Sequence, residues 1–206
     1  MAGFSLTLQQ CQGLDTGLKA LKTCLVLDLD GFMTSDGFLA REMGWWCLDD
    51  SKRGGSYQYL PKIPYGRLST SDKNVVKYVQ RHIHGLSYYP QASARPHYCL
   101  DDDVKELYNK YKTPTLIYVA YKGGTLERDL LQRINIPCWN LDEAGCPKFE
   151  RLPRLGTISS CGQHKNFLHH HCPRIECYHF VQWFRRYLNL PYDMNFVDWN
   201  RLNRFV

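Results

Sequence analysis

The chain has 206 residues, 44% of them hydrophobic and 22% charged, which is enough core-forming side chain for one folded domain and excludes general disorder. Twenty-six Lys and Arg against 20 Asp and Glu leave a formal charge of +6, a mild bias toward polyanionic partners such as RNA or DNA. The longest clean apolar run, Leu116 to Tyr121, falls well short of the roughly 18 to 20 residues of a membrane span, and the opening MAGFSLTLQQCQ has no basic leader, so an intracellular, non-secreted protein is expected.

In chain order, Cys24 to Asp30 (CLVLDLD) reads as a buried strand closed by Gly31. Gly37 to Met43 and Trp45 to Leu48 read as two further strands, and Ser56 to Leu60 as a short extended piece stopped by Pro61. From Ser69 to His84 the pattern turns helical, with Ser71 available as a cap and Val75, Val76, Val79 and Ile83 at three- and four-residue spacing. Asp101 is positioned to cap a second helix that ends before Pro114. A strand over Thr115 to Tyr121, a helix over Leu126 to Ile134, a strand over Ile136 to Leu141 and a helix over Arg174 to Leu188 complete the pattern. Strands first, then alternating helix and strand, predict an α/β fold of RNase-H-like type, a mixed sheet flanked by helices. Residues 1–190 are expected to form one domain, with 191–206 as a polar, aromatic tail.

Three constellations carry chemistry. Asp28 and Asp30 stand two apart on a strand, so both carboxylates leave one face, an arrangement suited to Mg²⁺ or Mn²⁺. Four of the nine cysteines lie between positions 146 and 177, among several histidines. Cys161, His164 and Cys172 supply the thiolates and imidazole that Zn²⁺ prefers, with Glu42, Cys146, His169 and Cys177 as candidates by type for a fourth ligand. His171 precedes the last helix and Glu176 lies in its first turn, where an imidazole is placed to deprotonate a water beside a metal-binding acid.

These pieces occur in one order: DLDG at 28 to 31, RHIHGL at 81 to 86, YKGGTLERDLL at 121 to 131, and C-x2-H followed by HCPRIE at 171 to 176. The chain thereby resembles the DEDDh 3′-to-5′ exonucleases, most closely the zinc-bearing exonuclease domain of arenavirus nucleoproteins, over about residues 24 to 188. The resemblance implies Asp28 as first metal-binding acid, Asp30 in place of a glutamate, His171 as general base and Glu176 in place of an aspartate. It also implies a structural zinc on Glu42, Cys161, His164 and Cys172. The family's middle aspartate falls at Thr125 or Leu126, with Glu127 one or two places late. The expected function is a divalent-metal exonuclease-like protein acting on RNA or DNA, with Lys122, Arg128, Arg133, Tyr88 and Tyr89 as candidate nucleic-acid contacts. The alternative is an inactive module of the same fold that binds nucleic acid or a protein. The segment LVLDLDGFMTSDG also resembles the first motif of haloacid-dehalogenase-like phosphatases, but Lys122 stands where that family needs Ser or Thr.

Overall fold

Alternation along β1 (Thr23–Thr34) divides the molecule into two layers. Leu25, Leu27 and Leu29 turn to one face, where they pack with Met43, Trp45, Val104, Leu107, Leu130 and Leu131. Val26 turns to the other, with Trp46, Ala120, Cys177, Phe180, Val181 and Phe184. Asp28 and Asp30 share that second face by the two-residue period of a strand.

The computed structural model describes residues 8–50, 53–89, 93–153, 158–164 and 171–191. It is an α/β structure: helix α1 (Leu8–Leu21), β1, β2 (Gly37–Cys47), β3 (Gly54–Gln58), α2 (Thr70–His82), α3 (Leu100–Tyr111), β4 (Tyr118–Tyr121), α4 (Leu126–Arg133), β5 (Cys138–Asn140) and α5 (Pro173–Tyr187). The five strands form one mixed sheet in the order β3-β2-β1-β4-β5. The first three pair antiparallel, and β4 and β5 add parallel. Among the described residues no helix is long and apolar enough to cross a membrane.

Several boundaries differ from expectation for local physical reasons. Gly44 does not separate two strands: β2 runs through it, with Gly44 paired to Asp28 on one side and Ser56 on the other. Gly31 does not end β1, which continues to Thr34 after a register shift between Asp30 and Gly31. Asp28 and Asp30 are therefore mid-strand rather than at its end. Ser69, not Ser71, caps α2, its hydroxyl accepting from the Asp72 N–H at 3.0 Å. Asp101 lies inside the first turn of α3, and Cys99 at the cap position makes no side-chain bond. The strand expected from Thr115 starts at Tyr118, because Thr113 Oγ1 draws the N–H groups of Thr115 and Leu116 into a turn. β5 is likewise shorter than expected, at Cys138–Asn140. Helix α1 was not legible, since Leu14, Leu18 and Leu21 are all more than half exposed and mark no core stripe. The tail expected from 191 lies outside the described residues beyond 191 itself.

Gly44 sets how closely α5 approaches the sheet. A Cβ at this position would fall less than 3 Å from Pro173 C and O and Arg174 N, all backbone atoms that cannot swing aside. The first turn of α5 rests on this bare patch, beside Asp28. Gly44→Ala is therefore expected to cost about 1–3 kcal/mol through overpacking, lowering the melting midpoint by roughly 3 to 10 °C. Gly55→Ala, whose Cβ would sit 3.4 Å from the Trp45 ring in ordinary contact, serves as the control that leaves the midpoint nearly unchanged in a thermal melt.

Candidate functional site

The site begins where β4 stops. Pairing of β1 with β4 ends at Leu27 and Tyr121, so the next inward backbone donor of β1, the Leu29 N–H, has no strand partner on that edge. Glu127 Oε1 accepts it at 3.2 Å. The reason lies in helical rotation. Thr125 occupies the cap position of α4 and Leu126 is its first residue, and both line a groove beside Leu29 and Leu130 on the opposite face of the sheet. Each further residue rotates by about 100°, which turns Glu127 inward, where it is 4% exposed. A count along the chain cannot register that rotation.

Glu127 thereby joins Asp28, Asp30 and Glu176. Burial raises the pKa of Asp28 well above the carboxylate range, and Glu176, Glu127, Asp30 and Glu42 raise it further. Asp30 is raised in the same way by burial, Glu176 and Glu42, with His164 opposing. Burial pushes Glu127 up to about 7. Glu176 is raised by burial and partly relieved by His171, whose Nδ1 lies 3.7 Å from Glu176 Oε1. The hydrogen bond to Glu176 in turn raises the His171 pKa. Carboxylates that disfavour one another's charge, around part-exposed aspartates, make a cluster that could hold a cation. Asp30 Oδ2 is buried without a hydrogen-bond partner. An oxygen left bare in such a place fits a hard divalent ion better than it fits a packed core.

A second cluster adjoins the first. Glu42 lies directly opposite Asp30 across the β1–β2 pair, and a ligand atom from each of Glu42, Cys161, His164 and Cys172 comes within 4.8 Å of the others. This group can hold a metal ion. Glu42 and Cys172 are fully buried and His164 is 8% exposed. His164 Nε2 lies 2.6 Å from Glu42 Oε2, while its Nδ1 meets the carbonyl of His84. With Nδ1 donating to that carbonyl, Nε2 carries the proton shared with Glu42, and an ion bound in the cluster would take that proton's place on Nε2.

His84 anchors the arrangement from behind. Its Nε2 lies 3.0 Å from the Gly31 carbonyl, and its Nδ1 accepts from the Leu86 N–H at 3.0 Å. Both partners demand a neutral ring protonated on Nε2, and burial lowers its pKa to about 4. One histidine thus ties the bulge after Asp30 to the backbone that orients His164. The RHIHGL motif contains this residue, but its spacing carried no sign of the role.

Charge inside the cluster is shared. Burial opposes ionisation of Glu42, but its hydrogen bond with His164 holds it below its ordinary value. Burial also opposes charge on His164, yet Cys172 and Glu42 raise it to about 10. The hydrogen bond from Cys161 brings Cys172 down to about 5, and the same bond raises Cys161. A metal ion would take the place of these shared protons.

Of the other fourth-ligand candidates, Cys146 packs in the α5 core, Cys177 is buried in α5 with its thiol pKa raised by burial, and His169 lies outside the described residues. The candidate nucleic-acid contacts separate as well. Lys122 pairs with Asp142, Arg128 with Asp129 at 3.1 Å and Arg133 with Asp101. Tyr88 is 2% exposed and donates to the Ile63 carbonyl, whereas Tyr89 is exposed. No family model, curated protein or solved structure matches the chain.

Protein purified without chelator is expected to carry about one tightly held transition-metal ion per chain in the second cluster. Cys161→Ser should lose most of it and destabilise the fold by several kcal/mol or yield insoluble protein, because a site that closes on folding contributes its binding energy to folding. Elemental analysis beside a thermal melt reads both quantities.

Proposed function

We propose that this protein is a divalent-metal-dependent 3′-to-5′ exonuclease of DEDDh type on an RNase-H-like fold, acting on RNA or DNA. The observation that carries the reading is the gathering of Asp28, Asp30, Glu127 and Glu176 at the open edge of β1, with His171 beside Glu176. The mixed sheet, antiparallel strands first and helix-linked parallel strands after, supports the fold assignment. The inward turn of Glu127 supplies a middle acid where residue counting finds Thr125 or Leu126.

In this reading Asp28, Asp30, Glu127 and Glu176 hold Mg²⁺ or Mn²⁺. Bound there, such ions supply Lewis-acid stabilisation of the scissile phosphate and of the attacking and leaving oxygens. The chain's own contribution is placement. Glu176 steadies the His171 imidazole at 3.7 Å and raises its basicity, and His171 takes the proton of the attacking water. The buried Asp30 Oδ2, without a hydrogen-bond partner, is available as a ligand. Zinc is the ion we assign to Glu42, Cys161, His164 and Cys172, since two thiolates, an imidazole and a carboxylate are donors it favours in tetrahedral sites. Four protein ligands leave no open position, which makes that zinc structural. It fixes Cys172 and so the adjoining His171.

The test is digestion of 5′-labelled single- and double-stranded RNA and DNA in Mn²⁺ and in Mg²⁺. A ladder shortened from the 3′ end is expected, stronger in Mn²⁺, and abolished by Asp28→Ala and by Glu127→Gln. Leu126→Asp should add nothing, because that position faces away. Binding without hydrolysis in either ion would replace the enzyme by an inactive binding module. Release of phosphate from a monoester that depends on Asp28, with no digestion of nucleic acid, would favour the phosphatase resemblance.

A further inference from the structure

One helix and its approach carry an excess of positive charge. Residues 62–89 contain Lys62, Arg67, Lys73, Lys77 and Arg81 against a single acid, Asp72, a net of +4 over this stretch. Asp72 is buried and occupied as an acceptor by Ser35 and Ser69. Several cations elsewhere are paired with acids: Lys19 with Asp15 and Glu143, Arg53 with Asp50, Lys122 with Asp142, Arg133 with Asp101. Among the described residues no acid pairs with Lys73, Lys77 or Arg81.

The outer side of α2 is built in two rows. Lys73, Lys77 and Arg81 follow one another at i, i+4 and i+8, a rise of about 6 Å per step; Lys77 and Arg81 are exposed, and half-buried Lys73 donates to the Gly66 carbonyl at 3.4 Å beside the Tyr65 ring. Beside them Tyr78, 60% exposed, and His82 hold their ring centroids 4.9 Å apart. Like charges at i, i+4 destabilise a helix by roughly 0.2–0.5 kcal/mol per pair, and Lys73 lies near the positive end of the helix dipole, where a cation is least favourable. Helix stability therefore does not explain the row. It calls for anions from outside, and the adjacent rings call for flat, stackable groups.

We propose that the exposed face of α2 is the docking track for a single-stranded nucleic acid, with Lys73, Lys77 and Arg81 on successive phosphates and Tyr78 with His82 under unpaired bases. The placement follows the chain: α2 leads directly into His84, whose ring meets Gly31 beside Asp30 and whose carbonyl meets His164. The end of α2 is thereby tied to the stretch of β1 that carries Asp30. This inference rests on the nuclease reading of the carboxylate cluster for the direction of the strand, whose 3′ end would reach those acids while upstream nucleotides lie on α2. Single strands are favoured over duplex because stacked pairs offer no free base faces to Tyr78 and His82.

The test is fluorescence anisotropy of the full chain with labelled single-stranded oligonucleotides of about 12 nucleotides, without added divalent metal, over a series of salt concentrations. The combined variant Lys73→Gln, Lys77→Gln, Arg81→Gln should bind at least about tenfold more weakly and flatten the slope of log K against log salt by about 2, three lost phosphate contacts at roughly 0.7 each. Tyr78→Ala should weaken binding with the slope unchanged. Lys105→Gln with Lys110→Gln on α3 should leave both quantities near wild type. Removing mutual repulsion should keep the melting midpoint of the triple variant at or above wild type; Lys77→Gln and Tyr78→Ala carry the test singly if it does not fold. Wild-type affinity and slope in the triple variant would overturn the proposal, as would equal loss in the α3 control. Retained oligonucleotide binding with lost binding to phosphatidylserine vesicles would also overturn it, assigning the face to a lipid surface. Binding that depends on α2 in a protein that hydrolyses nothing would uphold this inference and remove the catalytic reading; hydrolysis that depends on Asp28 with binding indifferent to α2 would do the reverse.

Discussion

Two carboxylates facing each other across an antiparallel pair are a like-charge contact that sheets avoid, and here Asp30 and Glu42 form one in the middle of the molecule. The conflict is relieved by giving the two acids different companions. Glu42 turns to His164, Cys161 and Cys172. Asp30 keeps an oxygen without a hydrogen-bond partner, with Asp28 and Glu176 as charge neighbours. His164 offsets the charge of Glu42 on one side, while burial and neighbouring acids raise Asp28 and Asp30 on the other. β4 stops early to admit Glu127, Gly44 lets α5 down onto the sheet, and the bulge after Asp30 gives the Gly31 carbonyl to His84.

The two clusters are mechanically joined. Cys172 is the residue at the N-cap of α5 and a member of the metal-holding group; His171 precedes it and Glu176 follows within the first turn. A shift at Cys172 therefore moves the imidazole and the carboxylate together. His84 makes a second link, through Gly31 on one side and His164 on the other. Such doubled support fixes the relative positions of His171, Glu176 and the Glu42 cluster from two sides.

Much of this was legible in the sequence because it depends on short-range pattern. The alternation of CLVLDLD gave the central strand and put both aspartates on one face. Val76 and its neighbours marked α2, and the spacing of Cys161, His164 and Cys172 marked a metal-holding group. What stayed hidden depends on geometry that spacing does not encode. Gly44 reads as a break but continues the ladder, because its missing side chain is needed by α5 rather than by a turn. Glu127 reads as out of step until the rotation of α4 is known. Helix α1 shows no core stripe because Leu14, Leu18 and Leu21 do not face the core. The cations at 122, 128 and 133 read as candidate contacts, but Asp142, the adjacent Asp129 and Asp101 pair with them.

The claim on which the account stands is that the carboxylates around β1 are held in mutual repulsion for a divalent cation. Thermal unfolding of wild type and Asp28→Asn, with and without added Mn²⁺ at neutral pH, tests it most directly. The account predicts that removing one charge raises the metal-free midpoint by about 3 °C or more and cancels the stabilisation that Mn²⁺ gives the wild type. A wild-type midpoint indifferent to Mn²⁺, together with a destabilised Asp28→Asn protein, would contradict it and make these acids part of the fold rather than of a site.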